Sequence, residues 1–197
     1  LRLTGSMTVS AWIYSTAFPS DDAAIVSKRN SSQVGFQLDT TVDTGVRTIG
    51  FKLTNSNGGQ MFRFGATALQ ANTWYYVTGV YNATAQTLDV YLNGQLDNGQ
   101  LVGTVTSSQQ NSTSNVTIGR RGGQTGFEFI GRIDDVRIAD HALTQDQIQT
   151  DMVTPLGAPV GPDTTPPTVS LTAPTTPSVR GTVTISVQDR PDPVTGV

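Results

Sequence analysis

The stretch GFEFIGRIDDVRIADHALTQDQI, from Gly126 to Ile148, constrains the fold more than any other part of the chain. Val136 and Ile138 alternate with Asp135, Arg137 and Ala139, the period of a strand with one buried face. Ile133 stands three positions before Val136 and is out of phase with it, which predicts a bulge or a switch of face at Asp134 and Asp135. A helix start follows: Thr144 is placed to act as N-cap, Gln147 can return the bond, and Leu143 and Ile148 hold the two positions of a hydrophobic staple. Strand, turn and helix form one closing unit, with the helix expected to cover an otherwise open end of a sheet structure.

The rest of the chain repeats the period of two. In MTVSAWIY, Met7, Val9, Ala11 and Ile13 make an aliphatic face while Trp12 and Tyr14 put aromatics on the other, so both faces are expected to be covered. A short strand through Ile25 and Val26 precedes VGFQLD and TIGFKLT, where Val34, Phe36, Leu38 and then Ile49, Phe51, Leu53 alternate. NSNGG reads as a turn into the strand QMFRFG, and Asn93-Gly94 as the turn of a later hairpin. NVTIGR gives another strand, followed by the glycine-rich loop GRRGGQTG; no helix start follows that loop, so it is no phosphate cradle.

Two stretches carry a resemblance. GRIDDVRIADHALT resembles the closing motif of bacterial laminin G-like domains of the concanavalin A-like lectin/glucanase group, which usually reads GxIDDVRIYNRALS; Ala139, Asp140 and His141 stand where that family has Tyr, Asn and Arg. The Trp74 strand and the hairpin DVYLNGQ are similar to the same family. The resemblance implies an all-β fold over residues 1–153, an antiparallel two-sheet jelly-roll sandwich with a short C-terminal helix, and places the family's first strand upstream of Leu1. TPLGAPVGPDTTPP then reads as a Pro-rich linker over 154–167, and TVSLTAP with GTVTISVQD as the opening strands of a bacterial Ig-like domain over 168–197. Such a sandwich takes roughly 100 residues, so this segment is a truncated Ig-like domain and the natural protein is expected to continue.

Composition narrows the function classes. A net charge of −3 with no Lys/Arg cluster longer than a pair argues against a nucleic-acid partner. No apolar run approaches the roughly 20 residues that span a bilayer, so membrane insertion is not expected. The chain has no cysteine, which removes disulfides and thiolate chemistry.

Candidate sites are few. The aspartate pair Asp134 and Asp135 reads in two ways: as carboxylates of a structural calcium site, calcium being common in the resembled family, or as a solvated Asp134 beside an Asp135 bonded to backbone, Arg132 or Arg137. Arg120, Arg121 and Gln124, in the glycine-rich loop, are candidate ligand-binding residues, the arginines able to form bidentate bonds to a planar anion. Glu128 is the single glutamate, so the paired-carboxylate strand of related glycoside hydrolases cannot be assembled, and His141 is the single histidine, read as a turn residue. Trp12 and Trp74 lie in strands with buried partners and are expected in the core.

The function expected is a non-catalytic module that binds carbohydrate or a surface protein through loops at a sandwich rim. It would belong to a secreted or cell-surface bacterial protein whose other domains share the polypeptide. A structural spacer without a ligand is the alternative, with part of a polysaccharide-degrading enzyme third.

Overall fold

Among the described residues eleven strands and one helix form, where the period-two runs and the capped segment predicted them, with two additions. The computed structural model describes residues 1–157. In chain order the strands are β1 (Met7–Ala17), β2 (Ala23–Ser27), β3 (Phe36–Thr41), β4 (Thr48–Thr54), β5 (Gln60–Gly65) and β6 (Trp74–Asn82). They continue with β7 (Thr87–Leu92), β8 (Gln95–Leu96), β9 (Asn98–Val102), β10 (Thr117–Ile118) and β11 (Ile130–Ala139), followed by α1 (Gln145–Val153). The linker and Ig-like strands expected after residue 153 lie, from residue 158 on, outside the described residues.

The strands make two antiparallel sheets, one of five strands in the order β11-β1-β6-β7-β8 and one of six in the order β10-β2-β3-β4-β5-β9. The runs VGFQLD, TIGFKLT and QMFRFG form the consecutive antiparallel strands β3, β4 and β5. The short strands β8 and β9 were not legible as strands: β8 closes the Asn93-Gly94 hairpin, both turn residues having positive φ, and β9 passes to the other sheet, where it pairs with β5.

The core lies between the sheets. Met7, Val9, Ala11 and Ile13 of β1 meet Phe36, Leu38, Ile49, Phe51 and Leu53 of β3 and β4, all at most 3% exposed. Burying a side chain of this size contributes roughly 1.5 to 3 kcal/mol.

The bulge falls where the phase error put it. Ser10 pairs with Arg137 and Trp12 with Asp134, so Ala11 alone faces both Asp135 and Val136. Asp135 absorbs the extra residue at φ 47°, and the shift turns both Ile133 and Val136 toward the core. At the helix both halves of the capping box form between Thr144 and Gln147, and Leu143 and Ile148 share one apolar cluster. The helix covers a sheet face, not an open end: Ile148 and Met152 pack with Tyr76 and Val80, and the Trp12 indole donates to the Met152 carbonyl at 3.2 Å. A single amphipathic turn-and-helix suffices because the residues beneath it, Trp12, Tyr76 and Val80, are the outward set of β1 and β6. Among the described residues no helix is long and apolar enough to cross a membrane.

Candidate functional site

The outer face of the six-stranded sheet carries charge that is almost wholly buried. Strand alternation turns Gln37, Asp39 and Thr41 of β3, Lys52 of β4 and Phe62 and Phe64 of β5 to this side, away from the core. The Lys52 ammonium sits at its centre, 2.8 Å from Asp22, 3.3 Å from Asp39 and 2.7 Å from Asp43. Arg121 reaches in from the glycine-rich loop, pairing with Asp22 at 2.9 Å and donating from Nε to Gln37 Oε1 at 2.8 Å. Gln37 in turn donates to Asp39. Gly50 makes this possible, since a Cβ there would stand 2.4 Å from Asp39 Oδ1.

The protonation states follow from that arrangement. Burial pushes Asp39 up to about 7, against the pull of Lys52, and its Oδ1 has no hydrogen-bond partner. Burial would raise Asp22 too, but the Lys52 ammonium and its hydrogen bond outweigh that and hold the carboxyl below its ordinary value. Lys52 is held above its ordinary value because the Asp39 and Asp22 carboxylates more than offset its own burial. Two carboxylates beside one ammonium are thus shifted in opposite directions.

Above this layer lie aromatic rings and exposed polar groups. Phe62 is half-buried with the Arg29 guanidinium 4.9 Å from its ring centre, and Phe127 is half-buried over Arg121 at 3.8 Å. Asp43, with 43% of its side chain exposed, reaches Lys52, and the half-buried Gln124 accepts from Arg121.

The residues singled out from sequence divide between this face and others. Arg121 belongs to it but is buried, its guanidinium committed to Asp22 and Gln37; Gln124 Oε1 accepts from the same guanidinium at 3.5 Å. Arg120 is exposed, and only its backbone carbonyl is engaged, by Thr117 Oγ1. Sequence reasoning missed Asp22, Asp39 and Lys52, which lie 30 positions apart at the extremes; one signal was available, a lysine and an aspartate on the polar side of adjacent strands in a chain with only Lys28 and Lys52.

Asp134 and Asp135 lie at the other sheet. Asp134 accepts the Asp135 N–H at 2.9 Å and Asp135 Oδ1 accepts the Leu156 N–H at 2.8 Å, with no third carboxylate or histidine joining them among the described residues. A calcium shell takes six to eight oxygens, so this pair would supply a few of them and backbone carbonyls and water the rest. Carboxylates of Asp21, Asp22 and Asp43 do converge, within 4.8 Å of one another, but the Lys52 ammonium already bridges two of them. His141 is exposed, and its part in the turn is played by its carbonyl, which accepts from Thr8 Oγ1 at 2.8 Å. Trp74 is not a core residue as expected: it is 41% exposed, while Trp12 is half-buried under the helix.

Residues 1–149 match the sequence profile of the concanavalin A-like lectin/glucanases superfamily. No curated protein matches the chain. Among solved structures, a provisionally assigned carbohydrate-binding protein of Bacteroides ovatus superposes with a TM-score of 0.58 at 18% identity, covering 74% of this chain and 40% of its own. The chain therefore spans less than half the length of that protein. The CBM40 domain of a Ruminococcus gnavus sialidase, bound to α2,3-sialyllactose, superposes at 0.57 with 14% identity over 75% of this chain and 82% of that one. Domain 4 of an extracellular arabinanase from Geobacillus stearothermophilus, in complex with arabinotriose, gives 0.54 and 16% over 77% and 68%. At these identities the likeness is one of fold.

Proposed function

Since this chain belongs to the concanavalin A-like lectin/glucanases superfamily, we propose that residues 1–156 are a non-catalytic carbohydrate-binding module of a secreted or cell-surface protein. The ligand is a glycan, held on the outer face of the six-stranded sheet. The observation that carries this reading is two half-buried rings, Phe62 and Phe127, each with a cation packed against it, together with Asp43 on Lys52 and Gln124 on Arg121. Ring faces match the C–H face of a sugar, and flanking carboxylate and amide groups match its hydroxyls. The similar sialidase and arabinanase domains, each described in complex with an oligosaccharide, support the ligand class. The arabinanase, described as extracellular, supports the location.

A non-catalytic role is supported by how the carboxylates are used. Asp22 and Asp39, the pair with divergent proton affinities, both contact Lys52 and are at most 5% exposed, so neither reaches a glycosidic bond.

The test is a glycan array probed with the 197-residue chain. Specific binding is expected, weakened at least tenfold by Phe62→Ala and by Asp43→Ala. An array without a bound glycan overturns the reading in favour of a spacer.

A further inference from the structure

The outward face of the five-stranded sheet is organised in cross-strand rows. Tyr14 of β1 pairs with Arg132 of β11 on one side and with Trp74 of β6 on the other, so Arg132, Tyr14 and Trp74 form one row. Asp134, Trp12 and Tyr76 form the next. Helix α1 packs on the second row, against Trp12 and Tyr76. Among the described residues the first row stays open. Trp74 is 41% exposed, Tyr14 is half-buried and Arg132 is exposed, as is Asp134 at the corner of the covered row.

The open row is fixed in place. Trp74 and Tyr14 lie 5.5 Å apart at 47°, and Trp12 braces Trp74 edge-on at 6.4 Å. The Arg132 guanidinium stands 6.0 Å from the Tyr14 ring centre. The row spans two inter-strand spacings, roughly 10 Å, and Arg132 and Asp134 close one end of it as two residues apart on the same side of β11.

We infer that this row is a second glycan-binding site, in which a neutral pyranose stacks on Trp74 and Tyr14 while Arg132 and Asp134 hydrogen-bond its hydroxyls. The inference rests on the reading of the chain as a carbohydrate-binding module but uses the opposite sheet. Hydroxyls both donate and accept, so the cation and the carboxylate side by side complement them. An acidic sugar gains at Arg132 what it loses to repulsion at Asp134, which is why the neutral class fits. A stack on Trp74, 41% exposed, draws on a ring already braced by Trp12.

Trp12 and Trp74 are the two tryptophans of the chain, so emission reports the row directly. The full chain is titrated with cellotriose, xylotriose, mannotriose and N-acetyllactosamine, by fluorescence and by calorimetry, with 3′-sialyllactose as the acidic probe. At least one neutral probe is expected to change the emission, the change is expected to vanish in Trp74→Phe, and Asp134→Ala and Arg132→Ala are each expected to weaken binding about tenfold. Asp134 and Arg132 are exposed, and because Asp134 also accepts the Asp135 N–H at the bulge, melting temperatures check that both variants keep the fold. A neutral probe bound in calorimetry with emission unchanged and Asp134→Ala binding as tightly overturns the inference and leaves the module reading standing. Binding of 3′-sialyllactose alone at this row overturns the neutral class. No binding of any probe overturns the inference, and if the array is also empty the module reading falls with it.

Discussion

Gly79 of β6 lies directly beneath the ring of Phe51 of β4: a Cβ at Gly79 would stand 2.3 Å from Phe51 Cγ and 2.6 Å from both Cδ atoms. The two residues belong to opposite sheets, so the distance sets how closely the sheets approach. Gly79→Ala is expected to push the ring out of its place in the core and lower stability by roughly 1 to 3 kcal/mol, the usual range for overpacking. Combining it with Phe51→Leu should recover part of the loss, read by urea denaturation; a fully additive double variant would show that the two residues do not share the space.

Lys52 neutralises three carboxylates, and removing it leaves them facing one another at low dielectric. Lys52→Met is expected to cost roughly 3 to 5 kcal/mol, as for other buried pairs broken on one side. A loss below 1 kcal/mol would mean that Asp22 and Asp39 are neutral before the change.

Asp39 and Asp22 give stability opposite dependences on pH. The folded pKa of Asp39 lies above its ordinary 3.8, at about 7, so the folded state binds the extra proton and the stability from it is complete below 3.8 and lost as pH rises through about 7. Asp22 is depressed, so its contribution is present above 3.8 and lost as pH falls below. Asp39→Asn is therefore expected to gain stability relative to the unaltered chain on going from pH 5 to pH 8, by an amount on the order of a few kcal/mol. Melting temperatures of both proteins at the two pH values decide it; a constant difference would show that Asp39 does not titrate in this range.

Thr144→Ala removes one half of the capping box and is expected to cost about 1 kcal/mol. Because α1 is the cover over Trp12, Tyr76 and Val80, the loss should appear first as increased exposure of Trp12, detectable as faster acrylamide quenching before global unfolding. Unchanged quenching would mean the helix is held by its apolar face alone.

At the bulge, Asp135 combines a left-handed backbone with a bond to the Leu156 N–H. Asp135→Asn keeps both features and is expected to be nearly neutral, whereas Asp135→Ala should cost about 1 to 2 kcal/mol from the left-handed conformation. A melting temperature that rises with calcium and falls with EDTA, and that Asp135→Ala makes insensitive to both, would assign a cation to the aspartate pair; in the other carboxylate group Lys52 already bridges Asp22 and Asp43. A rise with calcium that Asp21→Asn abolishes would assign a cation to that group instead.

What the sequence determined by itself was whatever depends on neighbours along the chain. Alternation at Met7–Tyr14, Phe36–Leu38 and Ile49–Leu53 set strands and their core faces, the phase error at Ile133 located the bulge, and Thr144 with Gln147 capped the helix. Those signals are local because side-chain direction in a strand and capping in a helix are fixed within a few residues. The candidate site was not local. Lys52, Asp22, Asp39 and Arg121 come from one loop, two strands and a second loop, and each looks like an ordinary polar residue of a solvated face until the register of β3 on β4 sets Asp39 opposite Gly50 and beside Lys52. Tertiary structure also decided the roles of the two tryptophans, equal in their strand context: the helix lies over the row of Trp12 and stops short of the row of Trp74. Alternation tells which face a side chain is on, but only packing tells whether anything covers that face.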